Sequence, residues 1–411
     1  MKVKMDVGHL RPGMYVAELD RPWLETPFLF QGFVIENEDD LAQLREYCQY
    51  VFVDDLQSRQ DREIQQAIRG AVGGVRSGRV AAVTVEFEEW QGAERLRETL
   101  KRLNQSVERT QARVESVLKD VRLGRAVQAT QTREMVREMV ESASRNPHTA
   151  QWMTLLQSEN ELIARHSMNV SVLAATFARF LGWSEELLNV VSEGGMLHDM
   201  GMARVPRVVL EKKGPLTARE FGIVRLHAGY ASRMLAESGD YDPRVIEIVR
   251  HHHERLDGSG YPDGLAGDAI PPYVQLVGIV DVYESMTGEK PYERALSPSV
   301  ALTRLHKRVG THFDRGLVEQ FIRCIGIYPL SSLVRLQNGA LGIVVSSQQD
   351  NRLKPVLLMV RDPEGRELLP RRMVNLALME GRPGWVIDSL LEPEAEGIDT
   401  RRILIEEFML R

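Results

Sequence analysis

Six histidines, His166, His198, His227, His251, His252 and His253, fall in one stretch of helical apolar periodicity, and the other four are scattered singly along the chain. No other feature constrains the fold as strongly. The patterns NELIARHSMNVSVLAATFARFL, LLNVVSEGGMLHDM and PPYVQLVGIVDVYESM predict packed helices, and each carries ionisable side chains toward apolar surface. Asp281, inside QLVGIVDVYESM, would be costly to bury alone, so a cation or a hydrogen-bond network has to compensate it. Imidazole with carboxylate suits first-row divalent metals, and a carboxylate can bridge two of them where an imidazole cannot. Asp199, directly after His198, is the natural bridge. Two metals ~3.5–4 Å apart clamp a phosphate diester and turn a bridging water into hydroxide at neutral pH. The isolated His9, His148, His306 and His312 read as surface or capping residues.

Around this core the texture changes twice. Residues 1–90 read as a small α/β module: the apolar runs MYVAEL and YVFVDD flank an amphipathic DDLAQLREYC, and a Gly-rich GAVGGVRSGR precedes a strand-like VAAVTVEFEEW. Residues 91–145 predict a connecting helix. Leu96, Leu100, Leu103, Val107, Val114, Val117 and Val121 share one stripe of roughly seven-residue repeat, with Thr110 in the gap. Such a stripe packs either on its own domain or on a second subunit, which makes a homodimer one expectation. Residues 146–330 read as a helical region that holds the histidine cluster, and residues 331–411 read as a β-rich appendage, from LVRLQNGALGIVVSS, PVLLMVRDPEGREL and RILIEEF. The fold class expected is therefore mainly α, with small flanking modules.

Composition narrows the function. A formal net charge of -6 disfavours gripping a nucleic-acid polymer. Two distant cysteines, Cys48 and Cys324, suggest neither a disulfide framework nor a zinc ribbon. The opening MKVKMDVGHLRPGMYV lacks a signal-peptide core, and no apolar run reaches the ~18 residues of a membrane span. The chain is read as cytoplasmic.

Taken in order, HDMGMARVP, LEKKGPLTAREF, LHAGYASRML, HHERLDGSGYPDGLAG and VDVYESMTGEKPYERA resemble the HD-GYP family, helical HD-type phosphohydrolases that hydrolyse cyclic di-GMP. LRPGMYVAELDRPWLETPF resembles the small domain often placed before HD-GYP domains in bacteria. The resemblance implies two divalent metals, iron or manganese, one held by His166, His198, Asp199 and Asp281, the other by Asp199, His227, His252 and His253. Helical residues are ~100° apart, so two adjacent histidines can reach one site and three cannot comfortably. His251 is then the surplus one. Asp199 and Lys290 are the expected catalytic residues, with Gly260, Tyr261, Pro262, Lys290 and Arg294 at the substrate.

The chain also departs from the family pattern. Leu162 stands where some members place a third-metal glutamate, and Glu161 points elsewhere, so two metals are expected. Met202 replaces the lysine of HDxGK, with Arg204, Lys212 and Lys213 as nearby cations, and Glu293 replaces a second cation after Lys290. The expected activity is hydrolysis of cyclic di-GMP to pGpG and GMP. The alternative is a weakened receptor or scaffold that binds cyclic di-GMP or diguanylate cyclase domains.

Overall fold

The computed structural model describes residues 2–21, 26, 28, 32–54, 58, 64, 92–125, 127–143, 147–156, 162–288, 295–348, 351–393 and 395–409. The chain divides into two compact units, Met1–Thr84 and Val85–Arg411.

In the first unit β1 (Lys2–Asp6), β2 (Tyr15–Leu19), β3 (Phe33–Val34) and β4 (Tyr50–Asp54) form an antiparallel sheet in the order β1-β4-β2-β3. Val51 and Val53 alternate with half-buried Tyr50, Phe52 and Asp54, as a sheet with one covered face requires. The cover is α1 (Glu38–Tyr47), which adds Leu41 and Leu44 to the core of Val3, Met5 and Val16. Asn37 and Asp40 close its N-terminus reciprocally as a capping box. The Gly-rich stretch and VAAVTVEFEEW lie outside the described residues.

The second unit opens with α2 (Ala93–Arg122), followed by α3 (Ala129–Ala143), α4 (Pro147–Leu156), α5 (Leu162–Phe180) and α6 (Glu185–Leu197). A 3₁₀ turn (Met200–Arg204) leads to α7 (Ala218–Ser238), α8 (Pro243–His251), α9 (Pro272–Thr287), α10 (Pro298–His306) and α11 (Arg315–Ile325). Local signals set the starts: Ser184 caps α6, Thr217 and Glu220 form a capping box on α7, and Asp242 caps α8 ahead of Pro243.

The heptad stripe lies on α2 as expected, but its use is different from the dimer reading. Leu100, Leu103, Val107, Thr110, Val114, Val117 and Val121 are all buried within this chain. They pack against α3, α4, α5 and the 3₁₀ turn, so the stripe is already covered without a second subunit.

The appendage is an antiparallel sheet in the order β8-β7-β6-β5-β9, built from β5 (Leu333–Leu336), β6 (Leu341–Gln348), β7 (Asn351–Arg361), β8 (Glu367–Asn375) and β9 (Ile387–Leu391). It is tied to α4 by buried hydrogen bonds: Trp152 Nε1 donates to Val345 O at 3.0 Å, and Leu330 N donates to Gln151 Oε1 at 2.9 Å. RILIEEF, read as strand-like, is instead helix α12 (Thr400–Met409). Asp399 accepts from Arg402 N at its start, and Leu404 and Phe408 fall on one buried face four residues apart. No helix among the described residues is long and apolar enough to cross a membrane.

Candidate metal centre

Five helices converge on one point. The second turn of α5 carries His166, the end of α6 carries His198 and then Asp199, α7 carries His227, the end of α8 carries His252 and His253, and α9 carries Asp281. Two groups result, one of His166, His198 and Asp199 and the other of Asp199, His227, His252 and His253. The two oxygens of Asp199 face different groups. Its Oδ2 lies 3.7 Å from Nε2 of both His166 and His198, whereas its Oδ1 lies 3.2 Å from His227 Nε2 and 4.0 Å from His252 Nε2. Asp281 joins the first group through Oδ1, 3.0 Å from His166 Nε2 and 3.8 Å from His198 Nε2, and its Oδ2 lies 3.8 Å from His253 Nδ1.

Hydrogen bonds behind the rings decide what they present. Nδ1 of His198, His227 and His252 donates to the carbonyls of Gly195, Val224 and Val249 at 2.7, 2.7 and 3.0 Å. A carbonyl only accepts, so a ring proton sits on Nδ1 and Nε2 is the nitrogen that each ring turns inward. Nε2 of His198 faces Nε2 of His166 at 3.2 Å, and Nε2 of His227 faces that of His252 at 3.4 Å. Lone pairs at that range repel unless a proton or a cation lies between them. The donor set therefore fits divalent metal, with carbonyls fixing the tautomers.

The charges agree with that fit. Burial alone would raise the Asp199 carboxyl, but His198, His227 and His166 hold it well below the usual range. Burial likewise works against ionised Asp281, yet His166 and its neighbours bring it down to about 2. Burial and the surrounding imidazoles push His252 well below its ordinary value, and burial with His227 does the same for His253, keeping both neutral as ligation requires. His166 moves the other way: burial is outweighed by Glu284 and Asp281.

Two glycines let the backbone close around the centre. A Cβ at Gly201 would lie 2.0 Å from the carbonyl oxygen of His227, so only glycine lets the 3₁₀ turn lie against α7. A Cβ at Gly260 would lie 2.4 Å from Glu254 Cα, so the GYP loop can fold back onto the end of α8 only with glycine there. That fold-back sets the Tyr261 ring 4.5 Å from His253 and under the Arg225 guanidinium at 4.6 Å. Pro262 follows through a cis peptide bond.

His251 turns away from the cluster, its Nε2 2.8 Å from Asp263 Oδ2, where Arg250 also binds. Lys212 is engaged by Glu220 at 2.6 Å. Arg204 is exposed and lines a cleft with Gly124, Tyr230 and Arg233 that includes none of the clustered histidines. Lys290, Glu293 and Arg294 lie outside the described residues, as does Glu161.

Three buried residues escaped the sequence reading. Glu284 accepts from His166 Nδ1 and orients that ring; its signal was its place three residues after Asp281 on one helix face. Asn169 Nδ2 donates to Glu284 Oε1 at 2.7 Å. Glu254, in the HHE run, accepts from the backbone N–H groups of Asp263, Gly264 and Leu265 at 2.7, 3.1 and 3.0 Å and pins the GYP loop.

Comparison with known proteins assigns the lineage. Residues 151–317 match the HD domain, and residues 2–147 match a domain of unknown function. The chain is 31% identical to a cyclic di-GMP phosphodiesterase of Pseudomonas aeruginosa, over 93% of this chain and 90% of that one. The chain belongs to the HD-GYP family. Other matches are regional: 36% identity to a cyclic di-GMP phosphodiesterase response regulator of Xanthomonas campestris, over 38% of this chain and 41% of that one. A 3'3'-cGAMP-specific phosphodiesterase of Vibrio cholerae is 32% identical over 38% of this chain and 30% of its own.

Proposed function

We propose that this chain is a metal-dependent phosphodiesterase that hydrolyses cyclic di-GMP to pGpG and then GMP. The observation that carries the reading is the division of the Asp199 carboxylate, one oxygen to His166 and His198 and the other to His227 and His252. A pair of divalent ions, iron or manganese, bound there supplies Lewis-acid stabilisation of the phosphodiester and an activated water. His166, His198, Asp199 and Asp281 hold one ion, and Asp199, His227, His252 and His253 the other. Glu284 keeps the His166 ring aimed inward. Gly260 and Pro262 shape the substrate edge of the GYP loop, and Tyr261, its ring packed at a tilt against His253, covers one side of the centre and excludes water. Lys290 and Arg294 bind phosphate. Cyclic di-GMP is preferred over 3'3'-cGAMP because the relative that matches along almost the whole chain carries the former name, and the cGAMP-specific one matches a single region.

The test is metal analysis of protein purified without oxygen, then turnover of cyclic di-GMP, 3'3'-cGAMP and cyclic di-AMP with metal restored. Two ions per chain and preferential cleavage of cyclic di-GMP are expected, with both ions and all turnover lost in Asp199→Ala, because that carboxylate serves both groups. Full metal content in Asp199→Ala would refute the bridge, and faster cleavage of another dinucleotide would refute the substrate.

A further inference from the structure

The clustered side chains are not equally covered. Those of His198, His227 and His252 are sealed, at 0–1% exposure, whereas His253 and Asp199 keep 19% and 17%. The centre therefore opens toward His253 and Asp199, and there the Tyr261 ring packs 4.5 Å from the His253 ring. Two side chains of α7 reach the same tyrosine. Arg225 lays its guanidinium over the ring at 4.6 Å, and Phe221, one turn earlier and 46% exposed, meets it edge-on at 6.2 Å.

Arg225 is exposed, and among the described residues it has no carboxylate partner. The neighbouring cations are engaged. Arg250 pairs with Asp263 at 2.7 Å, Lys212 with Glu220 at 2.6 Å, and Arg255 Nη1 donates to the carbonyls of His252 and Glu254 at 3.0 and 2.7 Å. A cation–π contact consumes no hydrogen bond, so the N–H fork of Arg225 stays available to an anion. The ring also restrains the guanidinium, and less freedom is lost when an anion docks.

We infer that Arg225 is a substrate-binding residue, which holds the second phosphodiester of a cyclic dinucleotide while the first lies at the metal centre. The inference rests on the substrate class proposed above. Such a molecule carries two phosphodiester anions on one ring, and a metal pair clamps one of them at a time. The other keeps its charge, and the planar, permanently charged fork of arginine suits it. Tyr261 links the two positions, in contact with His253 and with Arg225. The role of Arg225 is therefore to bind and orient a substrate with two anions, and a diester with a single anion has no use for it.

The test compares cyclic di-GMP with bis(p-nitrophenyl) phosphate, a diester of one anion, on the metal-loaded full chain. Arg225→Met keeps an apolar contact with the Tyr261 ring and removes the charge. It should raise KM for cyclic di-GMP about tenfold or more and change kcat/KM for the small diester by less than about twofold. Arg225→Lys, which keeps the charge, should recover most of the loss. Equilibrium dialysis of labelled cyclic di-GMP on the chelated, metal-free chain should show the same ordering of the variants. Arg233→Met is the control, since it removes the same charge from α7 where the guanidinium lies over Tyr230 instead; its KM should stay near that of the unaltered protein. Unchanged KM in Arg225→Met, an equal loss with the small diester, or an equal rise in Arg233→Met would each overturn the inference. An unaltered protein that cleaves the small diester and no cyclic dinucleotide would instead refute the substrate reading, and the inference with it.

Discussion

Replacing Glu193 with glutamine should stabilise the helical unit, and only above the acid range. Glu193 sits on α6, the helix that delivers His198 and Asp199, and is 6% exposed. Its Oε1 has no hydrogen-bond partner, and Arg133 Nε approaches it only to 3.7 Å from a half-exposed position. Burial outweighs the attraction of Arg133, with Asp242 adding repulsion, and raises the carboxyl from an ordinary 4.5 to about 7. The native state thus holds a proton that the unfolded chain releases. Its contribution is fully present below the unfolded pKa and is lost as pH rises from about 4.5 through about 7. At about 1.36 kcal/mol per pKa unit, the ionised carboxylate costs about 3 kcal/mol above that window. Glu193→Gln keeps a neutral side chain of the same shape throughout. Urea unfolding of both proteins should show a small stability difference near pH ~5 that grows toward about 3 kcal/mol by pH ~8. A difference independent of pH over that interval would refute the reasoning, since a packing effect does not titrate.

Three further outcomes follow from the centre. Gly201→Ala should cost at least one metal per chain by elemental analysis, because its Cβ would stand 2.0 Å from the His227 carbonyl oxygen and α7 must shift; full metal content would count against that packing. Glu254→Ala removes three charge-assisted hydrogen bonds to the GYP loop. Each is worth ~1.5–3 kcal/mol, so faster amide exchange over residues 260–265 and a rise in KM of tenfold or more are expected with metal retained; unchanged exchange would refute the pinning role. His251→Ala should leave metal content unaltered, since its ring meets Asp263 outside the cluster, and a substantial loss of metal would show that the wrong pair of the three histidines was chosen.

Much of the centre was legible in the chain because ligand chemistry is strict. Few side chains bind divalent metal, and their coincidence with apolar helical periodicity places them on facing helices, so the clustered histidines, Asp199 and Asp281 could be named before any coordinates. The helical period allows only two of the three adjacent histidines to reach one site, the family resemblance left His251 as the surplus one, and the structure turns it toward Asp263. The small N-terminal sheet and its helix were legible for a local reason, short apolar runs beside an amphipathic segment, whereas the Asn37–Asp40 cap came from the structure.

Other features have no local signature. The α2 stripe has the same period whether it faces its own domain or a second subunit, and only the packing of α3, α4 and α5 against it decides. RILIEEF is too short for period alone to tell strand from helix, and the Asp399 cap and the buried face of Leu404 and Phe408 settle it. Glu284 and Asn169 are ordinary polar residues until α5 and α9 bring them together. Residue type and spacing thus determined the chemistry the chain can perform. The long-range burial that selects among equal local patterns determined which oxygen of Asp199 meets which histidines.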